Sequence, residues 1–497
     1  MAPGVDEDVD ESRQTLVRHF QFSEEEHAFD KEEQVEVLSE ETRPFSWKKL
    51  WLFTGPGVLM SIGYLDPGNL ESDLQSGAIA GYSLLWLLMW ATMMGLIIQL
   101  LSARLGVTTG YDLAEICREV YPFWTRIILW LMAEVAIIGA DIQEVIGSAI
   151  ALRILSFGYI PLWGGVLITA MDGFVFLFLE NFGIRKLEVL FEVLILVMAV
   201  SFACMFAQAQ PSMRDLLAGL IIPRVSSSTV SQAVGVVGAL IMPHNIFLHS
   251  ALVQSRTINI SSIAHVKEAL RYYTIESSCA LLISFIINLF VISVFSEAFY
   301  GTDIAESIGL ANAGEYLQAH FGNRYFPILY IWAIGLLAAG QSSTMTGTYA
   351  GQFIMSGFLD LRVKRWIRAV MTRAVAILPT VVIALIFQGS NERLDTLNEW
   401  LNVLQSIQLP FAVIPLLCVV SSKQIMGFFR IGPVMMVLSW IIALLVVVIN
   451  GYLLVEFCST FLTPTVSLIS LLGMAAALYI IFIIYLVIHG WCCDHDL

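Results

Sequence analysis

The chain has 497 residues, 57% hydrophobic and only 13% charged, and a mean hydropathy of +0.77, which lies far outside the range of soluble domains. Lipid, not water, is its solvent. The formal charge of −15 does not suggest nucleic-acid binding.

The N-terminus is distinct from the rest. Before residue 44 there are 14 acidic residues against four basic ones (Arg13, Arg18, Lys31 and Arg43), a composition too polar to offset its ordering entropy. Residues 1–43 are therefore expected to form a disordered acidic tail. The transmembrane domain then covers 44–490, and a short tail follows at 491–497. The seven cysteines show neither metal-ligand spacing nor a disulfide framework. Cys492 and Cys493, with His495 nearby, read as a frayed end, with palmitoylation or metal binding as alternatives.

Apolar windows of about twenty residues predict spans near 49–79, 82–105, 125–155, 160–180, 185–209, 229–254, 271–297, 325–354, 366–388, 394–420, 433–455 and 466–488. That makes twelve helices in an all-α, multi-pass integral membrane protein. Basic residues cluster in alternate loops (Arg104, Arg118 and Arg126; Arg185 and Lys186; Arg256, Lys267 and Arg271; Arg362, Lys364, Arg365 and Arg368; Lys423 and Arg430). By the positive-inside rule these loops, and so both termini, are cytoplasmic.

Two spans carry a helix-breaking tetrapeptide of one form, Asp66-Pro67-Gly68-Asn69 and Met242-Pro243-His244-Asn245, 176 positions apart. Each proline removes a backbone donor and interrupts its helix, and the freed carbonyls need a partner. The side chains are a carboxylate, two carboxamides and a thioether. That mixture suits a first-row divalent metal better than Mg²⁺ or Ca²⁺. With N-in topology the first and sixth spans run in opposite directions, so helices 1–5 (49–209) and 6–10 (229–420) become inverted repeats enclosing a midplane site, with helices eleven and twelve (433–488) outside them. The competing reading is that both prolines only kink helices for packing.

These motifs, with the run Gly340 to Gln352 in the eighth span, closely resemble the NRAMP family of proton-coupled divalent-metal transporters, over roughly residues 45–488. Gly81 to Trp86 and Ala140 to Gly147 are similar to plant members. The resemblance implies a LeuT-type fold, with alternating access that brings Mn²⁺ or Fe²⁺, and also Cd²⁺ or Co²⁺, into the cytoplasm with protons. The metal is then a transported substrate, and no cofactor is implied. A monomer is expected, in a vacuolar, endosomal or plasma membrane.

Asp66 is an ionisable group at mid-bilayer, where such groups are seldom without a functional partner, and it resembles the family's metal-binding aspartate. Asn69, one turn on, would add a carbonyl oxygen or serve as a helix cap, and the backbone carbonyl matching Gly63 joins them. Met242 supplies sulfur, which a hard ion gains little from; elsewhere a methionine would be a gap-filler. The resemblance adds the carbonyl of Ala239, and Asn402 as a residue that closes over the metal.

For protons, Glu134 and Asp141 lie seven residues apart on one helix face, and Glu144 follows. Arg373 inside the ninth span is their charge partner. The set forms either a polar wire toward the cytoplasm, as the resemblance implies, or a static salt-bridge network. His244 and His249 are further proton acceptors, because imidazole titrates near neutrality.

Three other function classes fit less well. A membrane metallohydrolase would need a His-Glu-x-x-His cluster or its equivalent, which the chain lacks. A sensor such as the NRAMP-like ethylene-response protein carries a long soluble C-terminal region. A sodium-coupled amino-acid symporter presents bare backbone to its substrate in place of Asp66 and Met242. Within the family, branches that move magnesium or aluminium lack the methionine.

Overall fold

The computed structural model describes residues 35–36, 45–180, 184–226, 228–322, 327–360, 365–386, 391–461 and 466–496. The acidic tail other than 35–36, and the side chains of Arg373, Cys492, Cys493 and His495, lie outside the described residues.

Prolines and glycines divide the first expected span. It comprises α1 (Trp47–Phe53), α2 (Pro56–Ile62) and α3 (Pro67–Gln75), parted at Gly55, whose φ of 147° only glycine adopts readily, and at residues 63–66. A π turn, Ser76–Ala80, and a 3₁₀ turn, Gly81–Leu84, lead into α4 (Leu85–Thr109). Next come α5 (Leu113–Val120), α6 (Phe123–Leu155), α7 (Leu162–Glu180), α8 (Ile184–Ala209) and α9 (Met213–Ile221). The sixth span is split into α10 (Val230–Leu240) and α11 (Pro243–Leu252). Beyond it lie α12 (Ile263–Phe299), α13 (Leu310–Phe321), α14 (Ile328–Leu359) and α15 (Arg365–Ile386). The tenth span is α16 (Asn391–Gln408) and α17 (Pro410–Ser421), divided at a second helical proline. The chain closes with α18 (Lys423–Met426), α19 (Pro433–Phe461) and α20 (Val466–Asp496), so the last helix continues beyond the expected end at 488.

Among the described residues nine helical segments are long and apolar enough to cross a membrane. The expected twelve differ from nine for identifiable reasons. The fourth and ninth spans are α7 and α15, 19 and 22 residues long, of which only the stretches Leu162–Met171 and Ile377–Ile386 are fully described. The first has no uninterrupted helix of spanning length, and its second half runs on into the second span as Pro67–Thr109.

Burial orders the bundle. The broken segment Val230–Ser255 is buried throughout its most apolar window, whereas Leu472–Trp491 is 6% buried, so the break sits on the axis and the last helix faces lipid. The long helix α14 packs along α6, α8 and α5, and α12 packs along α4, α2 and α8. Close approach of α6 and α14 depends on missing side chains: a Cβ on Gly340 would strike the hydroxyl of Ser148. A two-stranded parallel ribbon pairs β1 (Val35–Glu36) with β2 (Arg256–Thr257), attaching the N-terminal segment just beyond α11.

Candidate metal site at the paired helix breaks

Pro67 has no N–H for the carbonyl of Gly63, four residues back. The chain tightens there into three-residue bonds, Gly63 N to Met60 O at 3.2 Å, Tyr64 N to Ser61 O at 3.1 Å and Leu65 N to Ile62 O at 2.8 Å. It then extends through Asp66, which caps α3: its Oδ1 accepts from Asn69 N at 2.7 Å. The Asn69 Nδ2 donates to the Gly63 carbonyl at 3.3 Å and to Asp66 Oδ1 at 3.0 Å. Three expected ligands thus form one hydrogen-bonded knot. The cap is Asp66 rather than Asn69, and Asn69 presents nitrogen inward where a carbonyl oxygen was expected. Presenting its oxygen to a cation requires the amide to turn over.

The second break follows the same rule. Pro243 leaves the carbonyl of Ala239 without its helical donor, and Ile241 and Met242 take extended backbone (φ −107° and −97°) before α11 begins. Met242 and Ala239 are buried. The two breaks meet: a Cβ on Gly63 would collide with the Nδ2 of Asn245, and that nitrogen has no hydrogen-bond partner among the described residues.

Helices α6 and α16 close the third side. A Cβ on Gly147 would lie 2.6 Å from the ring of Pro67, and one on Gly68 would lie 2.7 Å from Gln143 Oε1. Gln143 donates to Asn402 Oδ1 at 2.8 Å and to the Asn398 carbonyl at 3.0 Å, and accepts from Gln405 Nε2 at 2.6 Å. Asn402 therefore reaches the first break through Gln143. It also lines a cavity of about 180 Å³, with Glu71, Gln75, Glu399 and Ser406 among the other walls.

The expected proton residues separate into three groups. Asp141 and Glu144 are buried together against α14, where a Cβ on Gly347 would lie 2.8 Å from Asp141 Oδ1 and 3.5 Å from Glu144 Oε2. Glu134, half-buried, accepts from Trp130 Nε1 at 3.1 Å on its own helix. The helix carrying Arg373 packs along α6 and α7. His244 and His249 are both buried on α11, and His249 Nδ1 lies 3.2 Å from Gln99 Oε1.

Several polar residues at the breaks had no role assigned from the sequence. Gln143 is one. On α12, Ser284 Oγ donates to the Ser61 carbonyl at 3.0 Å and Asn288 Nδ2 to the Tyr64 carbonyl at 2.9 Å, tying α12 to the unwound segment. Their signal was a pair of polar residues four apart in an apolar run. Below α2, a buried ionic cluster holds the end of α1. Arg256 NH2 lies 2.9 Å from Glu188 Oε1, with side-chain exposures of 0% and 1%, and donates to the Thr54 carbonyl at 2.7 Å. Arg185 donates to the carbonyls of Trp51, Leu52 and Thr54, and Glu276 accepts from the amides of Gly55 and Gly57. Arg256 and Arg185 had been read only as loop charges.

Among the described residues no three His, Cys, Asp or Glu side chains converge as a resident metal centre. The breaks instead offer one carboxylate, backbone carbonyls, carboxamides and a sulfur. The model of the natural resistance-associated macrophage protein-like (Nramp) family matches residues 57–456. The chain is 62% identical to metal transporter Nramp3.2 of Populus trichocarpa over 98% of its own length and 97% of the relative's. A crystal structure of the Eremococcus coleocola manganese transporter superposes with a TM-score of 0.81 at 30% identity, covering 92% of this chain and 98% of that one. The nucleobase–cation symporter Mhp1, 14% identical, shares the fold with a TM-score of 0.55 over 86% of this chain and 98% of its own. The architecture is the LeuT type, and the chain belongs to the Nramp family as a plant-like member.

Proposed function

We propose that the protein is a proton-coupled secondary transporter that carries Mn²⁺ or Fe²⁺, and also Cd²⁺ and Co²⁺, into the cytoplasm by alternating access. The observation that carries this reading is the contact of the two breaks at Gly63 and Asn245, which sets the Asp66 knot beside the Met242 segment. The names of the relatives, metal transporter and manganese transporter, support it.

In this reading Asp66 supplies the anionic oxygen, and Gly63 and Ala239 supply carbonyls that the prolines have left without helical donors. Asn69 supplies its amide oxygen after turning over. Met242 contributes the soft ligand that separates transition metals from Ca²⁺ and Mg²⁺. Asn402 closes over the ion through its link to Gln143. Cation and proton compete for the oxygens of Asp66, so metal entry displaces a proton. Glu144, Asp141 and Glu134, with Arg373, carry it toward the cytoplasm; His244 and His249 serve as further acceptors. The protein acts as a monomer with both termini cytoplasmic, in a vacuolar, endosomal or plasma membrane.

The test is uptake into proteoliposomes under an imposed pH gradient, with Mn²⁺, Fe²⁺, Cd²⁺, Zn²⁺, Ca²⁺ and Mg²⁺ in competition. Transition-metal uptake that acidifies the lumen is expected. Uptake without proton movement, or equal competition by Ca²⁺, would overturn the reading. Asp141→Asn should lower proton flux more than equilibrium metal binding; equal loss of both would favour a purely structural network.

A further inference from the structure

Asp73 lies seven residues after Asp66, two turns along α3 on the same face, and the mechanism above does not use it. It is 2% exposed, and its Oδ2 has no hydrogen-bond partner among the described residues. Its neighbours fix where it points. One turn on, a Cβ at Gly77 would lie 3.0 Å from Phe295 of α12, while Ser72 Oγ stands 3.6 Å from a Cβ at Gly235 of α10. Asp73 therefore faces the seam between α10 and α12. The hydroxyls of Ser76, on the next turn, and of Ser296, beside Phe295, also have no partner among the described residues.

Among the described residues no cation balances this carboxyl. Helix α10 carries no ionisable residue, α12 has none between Ser284 and Ser296, and α14 contributes only tyrosines. The surrounding charges are acids. Asp66 is within electrostatic reach on the same helix. Glu71 is turned away, accepting from Leu310 N and Gln75, and Asp395 and Glu399 belong to α16. On α13, Glu315 and His320 stand toward the end remote from Leu310. Asp141 and Glu144 lie on the other side of the break: contacts of α3 with α16 lead back to Glu399, at 3.5 Å from Gln75, whereas those of α6 lead on to Gln405, 3.4 Å from a Cβ at Gly139.

We propose that Asp73 is a second proton-binding carboxyl, which holds a proton while the first break lacks metal and releases it when a divalent cation binds at Asp66. A buried carboxyl without a counter-charge is stable as the neutral acid. A divalent cation on Asp66 leaves net positive charge on the same helix and favours the anion. The O–H bond of Asp73 then breaks, the proton leaves to solvent, and the carboxylate offsets the excess charge. This adds a proton site on the side of the break opposite the α6 carboxyls, and it rests on the metal reading of Asp66.

The experiment uses the purified full chain in detergent. Mn²⁺ is added in weak buffer with a pH-indicating dye to count released protons, and the Kd for Mn²⁺ is measured across neutral and mildly acidic pH. Wild type should release protons, and Asp73→Asn should release up to one fewer per metal bound. Its Kd should correspondingly lose up to a tenfold dependence per pH unit, as linkage requires, so that the two proteins agree in acid and diverge as pH rises. Asp73→Glu, which keeps a carboxyl, should restore the release. Infrared difference spectra on Mn²⁺ addition read the same event without removing the carboxyl: a protonated-carboxyl band disappears, and Asp73→Glu shifts it. Unchanged release in Asp73→Asn, or an unshifted band, overturns this proposal alone, whereas wild type that releases no proton overturns the coupling reading with it.

Discussion

The side-chain amide of Asn245 lies against the bare Cα of Gly63, a contact with no room for a methyl group. Gly63→Ala should therefore force the two breaks apart. Metal uptake is expected to fall at least tenfold while helical content by circular dichroism stays unchanged. Retained uptake would show that the contact does not position the site.

Asp66→Ala removes the cap of α3, a loss of about 1 kcal/mol, which a bundle of this size tolerates. It also removes the carboxylate that caps α3 at the first break. Uptake in vesicles should vanish with a melting temperature lowered by a few degrees, and measurable uptake would count against the site.

Met242→Ala deletes a buried thioether. Truncation of a core side chain costs about 2–5 kcal/mol, but selectivity is the informative readout. Competition by Ca²⁺ and Mg²⁺ should strengthen and Cd²⁺ uptake should weaken; an unaltered ratio would remove the sulfur from the ligand set.

Glu188 and Arg256 form a dry pair, so removing either leaves the other a buried charge without its fully buried counter-ion, Glu188 keeping only the partly exposed Arg185. Arg256→Gln or Glu188→Gln should each destabilise by about 3–5 kcal/mol, and the double variant should lose less than the sum. A thermal-melting cycle with additive losses would mean that the pair is not coupled.

Much of the site was legible because prolines act locally. Pro67 and Pro243 predict the breaks and the freed carbonyl at Gly63, whereas the Ala239 carbonyl came from the family resemblance. What the pattern could not reveal was direction. That Asn69 turns its nitrogen inward, or that Gln143 bridges to Asn402, depends on which helix faces which, and the apolar runs of a membrane bundle conceal this by being apolar on every side. Arg256 misled for a related reason. A cation at the end of a span is usually wet, and only the convergence of α8, α11 and the end of α1 makes this one dry. The acidic stretch 298–324 likewise concealed α13, because a twelve-residue helix is too short for a hydropathy window.

The guanidinium groups of Arg185 and Arg256 occupy the terminal carbonyls of α1 at Trp51, Leu52 and Thr54, the groups every helix leaves bare at its C-terminal end. Because both arginines also share Glu188, these bonds stretch together and give way together. The hinge beside them is Gly55. The end of α1 is thus clamped by two cations that share one carboxylate, and any motion of it about Gly55 has to break those bonds as a set.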